Sequence, residues 1–196
     1  MPNQTLNSPF EKFESWLKEA QKKESSYPEA FSLSTLGEDS FPTSRTVLLK
    51  LHDRKKFTFF TNYNSKKSTD LFKHPKAHIL FYWKETQKQI RIKGTIQKAS
   101  KEVSDKYWEG RPLDSRLNTV LSQQSQSIPE GFDYKKAFDE LKAQHPESIA
   151  RPEHWGGLEI TPNHFEFWEE GEFRWHKREV YSLTEGSVWQ SDKLFP

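Results

Sequence analysis

Short runs rich in apolar, aromatic and β-branched residues, some alternating with polar ones, recur along most of this chain, and they commit it to strands. The early runs are Ala30–Leu36, Ser44–Leu51, Phe57–Asn62, Ala77–Trp83 and Gln89–Ala99. The late ones are Gly157–Thr161, His164–Glu169, Phe173–Leu183 and Val188–Leu194. A period of two puts one face of each strand in a core and the other in water. Polar turns separate them: Gly37-Glu38-Asp39-Ser40, Asp53-Arg54-Lys55, Lys84-Glu85-Thr86-Gln87 and Thr184-Glu185-Gly186. Read as mostly consecutive hairpins with helices inserted in the middle, these runs predict a mainly β chain closed as an antiparallel barrel.

Helical spacing appears in between. Ser8-Pro9-Phe10-Glu11 reads as a helix start, and Phe10, Phe13, Trp16, Leu17 and Ala20 continue on one face to about Lys23. Ser65 heads a short helix, Lys66–Lys73, stopped by His74-Pro75. Further helices are expected at about Lys101–Glu109, Pro112–Leu121 and Asp133–Gln144, the last with Tyr134, Ala137, Phe138 and Leu141 aligned. Residues 1–28 form an N-terminal helical extension in this reading, and 29–196 the barrel, together one domain.

Composition narrows the function classes. Only 33% of residues are hydrophobic, so burial falls to the 15 Phe, 7 Trp and 6 Tyr, a balance that suits an oligomer whose core a partner completes. A net charge of +2 without a basic stripe argues against nucleic acid. The lack of Cys excludes disulfides, thiolate nucleophiles and zinc–thiolate sites. No apolar run approaches the roughly 20 residues of a membrane span. Met1-Pro2-Asn3-Gln4 lacks the basic and apolar regions of a signal peptide, so a cytoplasmic location is expected. No Gly-rich phosphate loop, G-x-S-x-G elbow or H-E-x-x-H occurs, and His164 with Glu166 is too small a set for a metal.

Four stretches carry possible chemistry. In Phe173-Arg174-Trp175-His176-Lys177-Arg178 an extended backbone would point Arg174, His176 and Arg178 the same way, which suits an anion; a solvated edge strand would carry the same residues. Arg45-Thr46-Val47-Leu48-Leu49-Lys50 brackets an apolar strand with cations of opposite parity, so they serve different groups or the strand bends between them. Phe60-Thr61-Asn62 followed by Ser65-Lys66-Lys67 sets a hydroxyl and two ammonium groups near a helix N-terminus, a phosphate geometry that an ordinary capped helix shares. Tyr107, Arg111 and Ser115 offer a phenol, a guanidinium and a hydroxyl four residues apart, across a Gly110-Arg111-Pro112 break. Gln124-Ser125 reads as plain loop on composition.

Taken in order with Gln89, Arg111-Pro112-Leu113-Asp114-Ser115, Arg151-Pro152, His154-Trp155-Gly156-Gly157, Glu166-Phe167-Trp168 and Leu194-Phe195-Pro196, these landmarks run from about Phe10 to Pro196. The chain so read resembles the pyridoxine (pyridoxamine) 5′-phosphate oxidase family, FMN enzymes of a split-barrel fold. The resemblance implies a homodimer with FMN and substrate stacked in a cleft between the barrels. It implies FMN contacts from Arg45, Thr46, Val47, Leu48, Leu49, Lys50, Phe60, Thr61, Lys66, Lys67, Gln89, Gln124, Ser125, Trp168 and Arg178. Substrate contacts would come from Lys50, Tyr107, Arg111, Ser115, Arg174 and His176, with Arg174 and His176 closing over the reacting carbon as the catalytic pair. The implied reaction turns pyridoxamine or pyridoxine 5′-phosphate into pyridoxal 5′-phosphate, with O2 leaving as hydrogen peroxide.

The sequence departs from the family's usual pattern in places. Lys66 stands where Arg is common, Asn118-Thr119-Val120 where Gly-Ala-Trp is usual, and Trp175 and Lys177 where Leu and Asp are usual. Two other readings stay open: a related split-barrel flavoprotein oxidising a phenazine-type aromatic, and a non-catalytic module that binds FMN or pyridoxal phosphate.

Overall fold

The computed structural model describes residues 8–196. Met1-Pro2-Asn3-Gln4 and the rest of the first seven residues of the expected extension lie outside the described residues. Helix α1 is Pro9–Lys23, where the Ser8 hydroxyl accepts the Phe10 N–H at 3.3 Å and Lys22 and Lys23 sit in the last turn. Its Phe10, Phe13, Leu17 and Ala20 are buried, with the Phe13 ring centroid 4.7 Å from that of Phe57. The amphipathic spacing therefore caps the barrel core with a helix.

Among the described residues there are nine strands: β1 Ala30–Leu36, β2 Pro42–Leu48, β3 Leu51–His52, β4 Phe57–Asn62, β5 Lys76–Trp83, β6 Lys88–Lys98, β7 Trp155–Glu169, β8 Lys177–Leu183 and β9 Trp189–Leu194. The other helices are α2 Lys66–Lys73, α3 Lys101–Glu109, α4 Leu113–Leu121 and α5 Tyr134–Gln144. One antiparallel sheet runs β2-β1-β5-β6-β7-β4-β3, with β8 on β7 and β9 on β8. None of the helices described is long and apolar enough to cross a membrane.

Strand β7 makes the sheet curl. It pairs with β6 along nearly its whole length, while its other edge meets β4 at Trp155–Ile160 and β8 at His164–Glu169. The expected pair of strands Gly157–Thr161 and His164–Glu169 is thus one continuous element, kinked by a register shift at Lys93/Gly94. A Cβ at position 94 would lie 2.4 Å from the Thr161 carbonyl oxygen, so only glycine fits there. Inward-facing Phe31, Leu33, Phe59, Ile79, Phe81, Ile90, Ile92, Ile160 and Phe165 fill the interior.

The expected strand Ser44–Leu51 also divides. Beyond Leu48 the Leu49 N–H donates to Glu29 O and the Lys50 N–H to Thr58 O, both at 2.9 Å. Two adjacent residues thereby carry the chain from the β1–β2 edge to β4 and draw the sheet toward closure.

A second expectation fails at the C-terminal hairpin. Phe173–Leu183 is not one strand: Glu172–Arg174 is a 3₁₀ turn, and β8 begins only at Lys177. Phe173 and Arg174 both take positive φ, 54° and 65°. The turn is tight, since a Cβ on Gly171 would lie 2.2 Å from Trp175 O. Arg174, His176 and Arg178 therefore do not line one strand face, because alternation holds only where the backbone stays extended.

Candidate functional site

A cleft of about 420 Å³ opens beside the Leu49–Lys50 crossing. Strand β2 lends it Arg45, Thr46, Val47 and Leu48, and Lys50 enters from the crossing. Strand β4 supplies Phe60 and Thr61, and α2 supplies Lys67. Tyr107 of α3, Arg111, Gln124 and Trp155 complete the lining. The break after Leu48 is what lets Arg45 and Lys50, of opposite parity, reach the same space. Among the described residues, four cations line the cleft and no carboxylate does. Such an excess of one sign, partly desolvated, favours an anionic ligand.

Arg45 and Lys67 are held by neutral partners, with carboxylates only at one remove. Arg45 donates to Leu33 O at 3.2 Å, Thr35 Oγ1 at 2.8 Å and Thr43 Oγ1 at 2.7 Å. Thr35 in turn donates to the buried Asp70 carboxylate at 3.3 Å, and Lys66 pairs with that same Asp70. The Lys67 ammonium donates to Ser65 Oγ at 2.8 Å and Gln124 Oε1 at 3.2 Å. Burial first, then Arg45, pushes Lys67 down to about 8. Burial also lowers Arg45, which as a guanidinium stays charged at neutral pH.

One wall of the cleft is aromatic. Tyr107 lies flat on Phe60, with centroids 3.7 Å apart and planes at 6°, and Trp155 stacks on Phe60 at 5.6 Å. The Arg111 guanidinium rests 4.7 Å over the Trp155 ring. Burial raises the Tyr107 phenol above its ordinary value, so at neutral pH it is a hydrogen-bond donor.

Some expected residues stand just outside this cleft. Leu49 is 4% exposed and packed in the core, and its N–H is taken by Glu29 O. Ser125, at φ 74°, accepts the Lys66 N–H at 3.3 Å, and Ser115 offers its carbonyl to Arg111 at 3.2 Å.

Of the remaining expected residues, Gln89, Trp168, His176 and Arg178 gather around β6, β7 and the start of β8, while Arg174 lies in the 3₁₀ turn that precedes β8. Gln89 is opposite Trp168, which is opposite Arg178, and the His176 ring lies 4.7 Å from Trp168. Arg178 donates to the buried Glu166 carboxylate, which also takes Arg91 at 3.0 Å. His176 and Arg178 line a separate 270 Å³ cleft with Lys12 and Trp16. Within one chain, Gln89, Trp168, Arg174, His176 and Arg178 do not join the first cleft. Sequence reasoning missed Asp70 and Thr35, which hold Arg45; the only signal was the spacing of Lys66 and Asp70 on one helix face.

The curled antiparallel half-barrel with a cationic, aromatic-walled cleft defines a split-barrel protein. The FMN-binding, pyridoxamine 5′-phosphate oxidase-related protein of Nostoc punctiforme shares this fold at 18% identity, with a TM-score of 0.81 over 96% of this chain and 98% of that one. PhzG of Burkholderia lata, solved with tetrahydrophenazine-1-carboxylic acid, gives a TM-score of 0.92 at 27% identity over 100% of this chain and 97% of that one.

The sequence pattern of "Pyridoxamine 5'-phosphate oxidase" matches residues 17–145, and that of "Pyridoxine 5'-phosphate oxidase C-terminal dimerisation region" matches 155–196. Pyridoxine/pyridoxamine 5′-phosphate oxidases of Herminiimonas arsenicoxydans and Aliarcobacter butzleri are 38% and 42% identical, over 98% and 96% of this chain and 91% and 90% of theirs. The chain belongs to the pyridoxine/pyridoxamine 5′-phosphate oxidase family.

Proposed function

We propose that this chain is an FMN-dependent oxidase of pyridoxamine and pyridoxine 5′-phosphates. The observation that carries the reading is the cleft's set of Arg45, Lys50, Lys67 and Arg111 without a carboxylate, beside a flat aromatic wall. That donor set fits a phosphorylated planar cofactor. Arg45, Lys67 and Thr61 would hold the FMN phosphoester, with Gln124 and the β2 backbone along the ring. FMN bound there would supply a two-electron acceptor that passes its electrons to dioxygen.

The chain's own residues bind and orient. Lys50, Tyr107 and Arg111, which line the cleft, would offer donors to the substrate phosphate, joined by the hydroxyl of Ser115 from just outside it, each charge-assisted bond contributing roughly 1.5–3 kcal/mol. Tyr107 suits that role because burial keeps its proton on. Arg174 and His176 would come from a second copy of the chain and cover the reacting carbon. The separation of the two clusters within one chain and the match to a dimerisation region support this homodimer.

Purified protein should be yellow and should convert pyridoxamine 5′-phosphate to pyridoxal 5′-phosphate with matching oxygen uptake. A colourless protein that takes up no FMN on incubation overturns the reading. The likeness to PhzG supports a second one, oxidation of a phenazine-type aromatic. Competition between the two substrate classes for flavin reduction without air decides between them.

A further inference from the structure

Arg111 lines the cleft at the break between α3 and α4, and its guanidinium is tied down by the helix that follows it. Its Nη1 donates to Thr119 Oγ1 at 2.9 Å, and its Nη2 to the Ser115 carbonyl at 3.2 Å. Thr119 Oγ1 itself donates to that carbonyl at 2.9 Å, closing a three-membered ring of hydrogen bonds. Trp155 fixes the guanidinium from one face, at 4.7 Å. Thr119 meanwhile lines a 210 Å³ chamber that shares Phe60, Thr61, Gln124 and Trp155 with the main cleft.

A guanidinium carries five N–H donors in a rigid plane. Two are taken here by the Thr119 hydroxyl and the Ser115 carbonyl, which leaves three for a ligand. Contact with the Trp155 ring holds the guanidinium from one face but does not set its rotation in its own plane. Rotation is set by the two hydrogen bonds, and only one of them depends on a side chain. An aliphatic residue at position 119 would leave Arg111 one weak anchor, and the arginine would lose rotamer freedom on each binding event instead of beforehand.

We propose that Thr119 is a positioning residue: its hydroxyl orients the Arg111 fork toward a phosphoester in the cleft and so selects phosphorylated ligands. The inference rests on the reading that Arg111 grips the substrate phosphate. The phosphate does not react, so this grip is the same in ground and transition states and belongs in KM.

Thr119→Val keeps the shape and removes the hydroxyl; Thr119→Ser keeps the hydroxyl. With pyridoxamine 5′-phosphate, Thr119→Val should raise KM about tenfold, the loss of one charge-assisted bond, at unchanged kcat. Its equilibrium affinity for pyridoxal 5′-phosphate should weaken by a similar factor. Thr119→Ser should behave as wild type, and Thr119→Val added to Arg111→Ala should do no further harm. An Arg111→Ala chain impaired beside a normal Thr119→Val chain overturns the role of Thr119 alone. Parallel loss of kcat and Tm, unrescued by Ser, also overturns it. A wild-type chain inert toward the phosphorylated vitamer, and blind to pyridoxal 5′-phosphate, overturns the proposed function and this inference together.

Discussion

Glu166 takes two nitrogens of Arg178 on a single carboxylate oxygen, Nε at 3.0 Å and Nη2 at 2.8 Å, across the β7–β8 pairing. Its other oxygen accepts Arg91 from β6, so one buried carboxylate ties three strands. Glu166→Gln should cost about 2 kcal/mol, moderated because both arginines keep some solvent, and lower Tm by roughly 4–8 °C in thermal unfolding. FMN affinity should fall with it if Arg178 meets the cofactor, which fluorescence titration of the stripped protein measures. A stable variant with full flavin affinity would show that Arg178 needs no such partner.

Lys67 should make FMN binding depend on pH. Its folded value, about 8, lies below the ordinary 10.5, so the folded chain releases this proton before the unfolded one does. For the ligand-free protein, that contribution to stability rises as pH climbs from about 8 to 10.5. Anion binding runs the other way, because the ammonium is lost over the same rise. FMN affinity should therefore decline above pH 8, and Lys67→Gln should flatten that decline while weakening binding below it. Dissociation constants across pH 6.5–9.5 provide the check, all values being roughly spaced about the Lys67 value.

If the two clusters meet only across a dimer, two dead variants should rescue each other. Arg111→Ala and Arg174→Ala homodimers should each be strongly impaired, with Arg174→Ala still holding FMN. A hybrid dimer keeps one site with both arginines intact, so a statistical mixture of co-expressed chains should regain about a quarter of wild-type activity. No gain from a verified hybrid would mean that both arginines act within one chain.

Phe13→Ala tests whether the first helix belongs to the core. Phe13 is 1% exposed and packs edge-on to Phe57 and Phe81. Truncation should cost about 3–5 kcal/mol, read as a shift in urea midpoint with a single transition. A loss below about 1 kcal/mol would mark α1 as an accessory that frays from the barrel.

The strands and helices were legible because their signals are local. Apolar, aromatic and β-branched runs located β1, β4 and β5, and the Ser8, Ser65 and Asp133 starts fell at helix N-caps. Failures occurred where tertiary contacts override a local pattern. Residues 173–183 alternate like one strand, yet Gly171 packed against Trp175 O turns the chain out of extension. The Ser44–Leu51 run hid its break because Leu49 and Lys50 bond to Glu29 and Thr58, partners far apart in sequence. In the site, the cations were visible as residue types in order, whereas the Thr35–Asp70 support of Arg45 exists only after folding. Residues 89, 168, 174, 176 and 178 could not be joined to the first cleft from sequence, because in the proposed homodimer that depends on how copies meet.

The seam at Leu49 and Lys50 gives ligand occupancy a mechanical meaning. The amide that latches Lys50 to β4 and the ammonium that faces the cleft belong to the same residue. Prising that latch open withdraws a charge from the bound anion, so a loaded cleft resists the opening. Solvent hydrogen should then enter these two amides far more slowly when the cleft is filled, and a ligand held there would act as a bolt across the barrel.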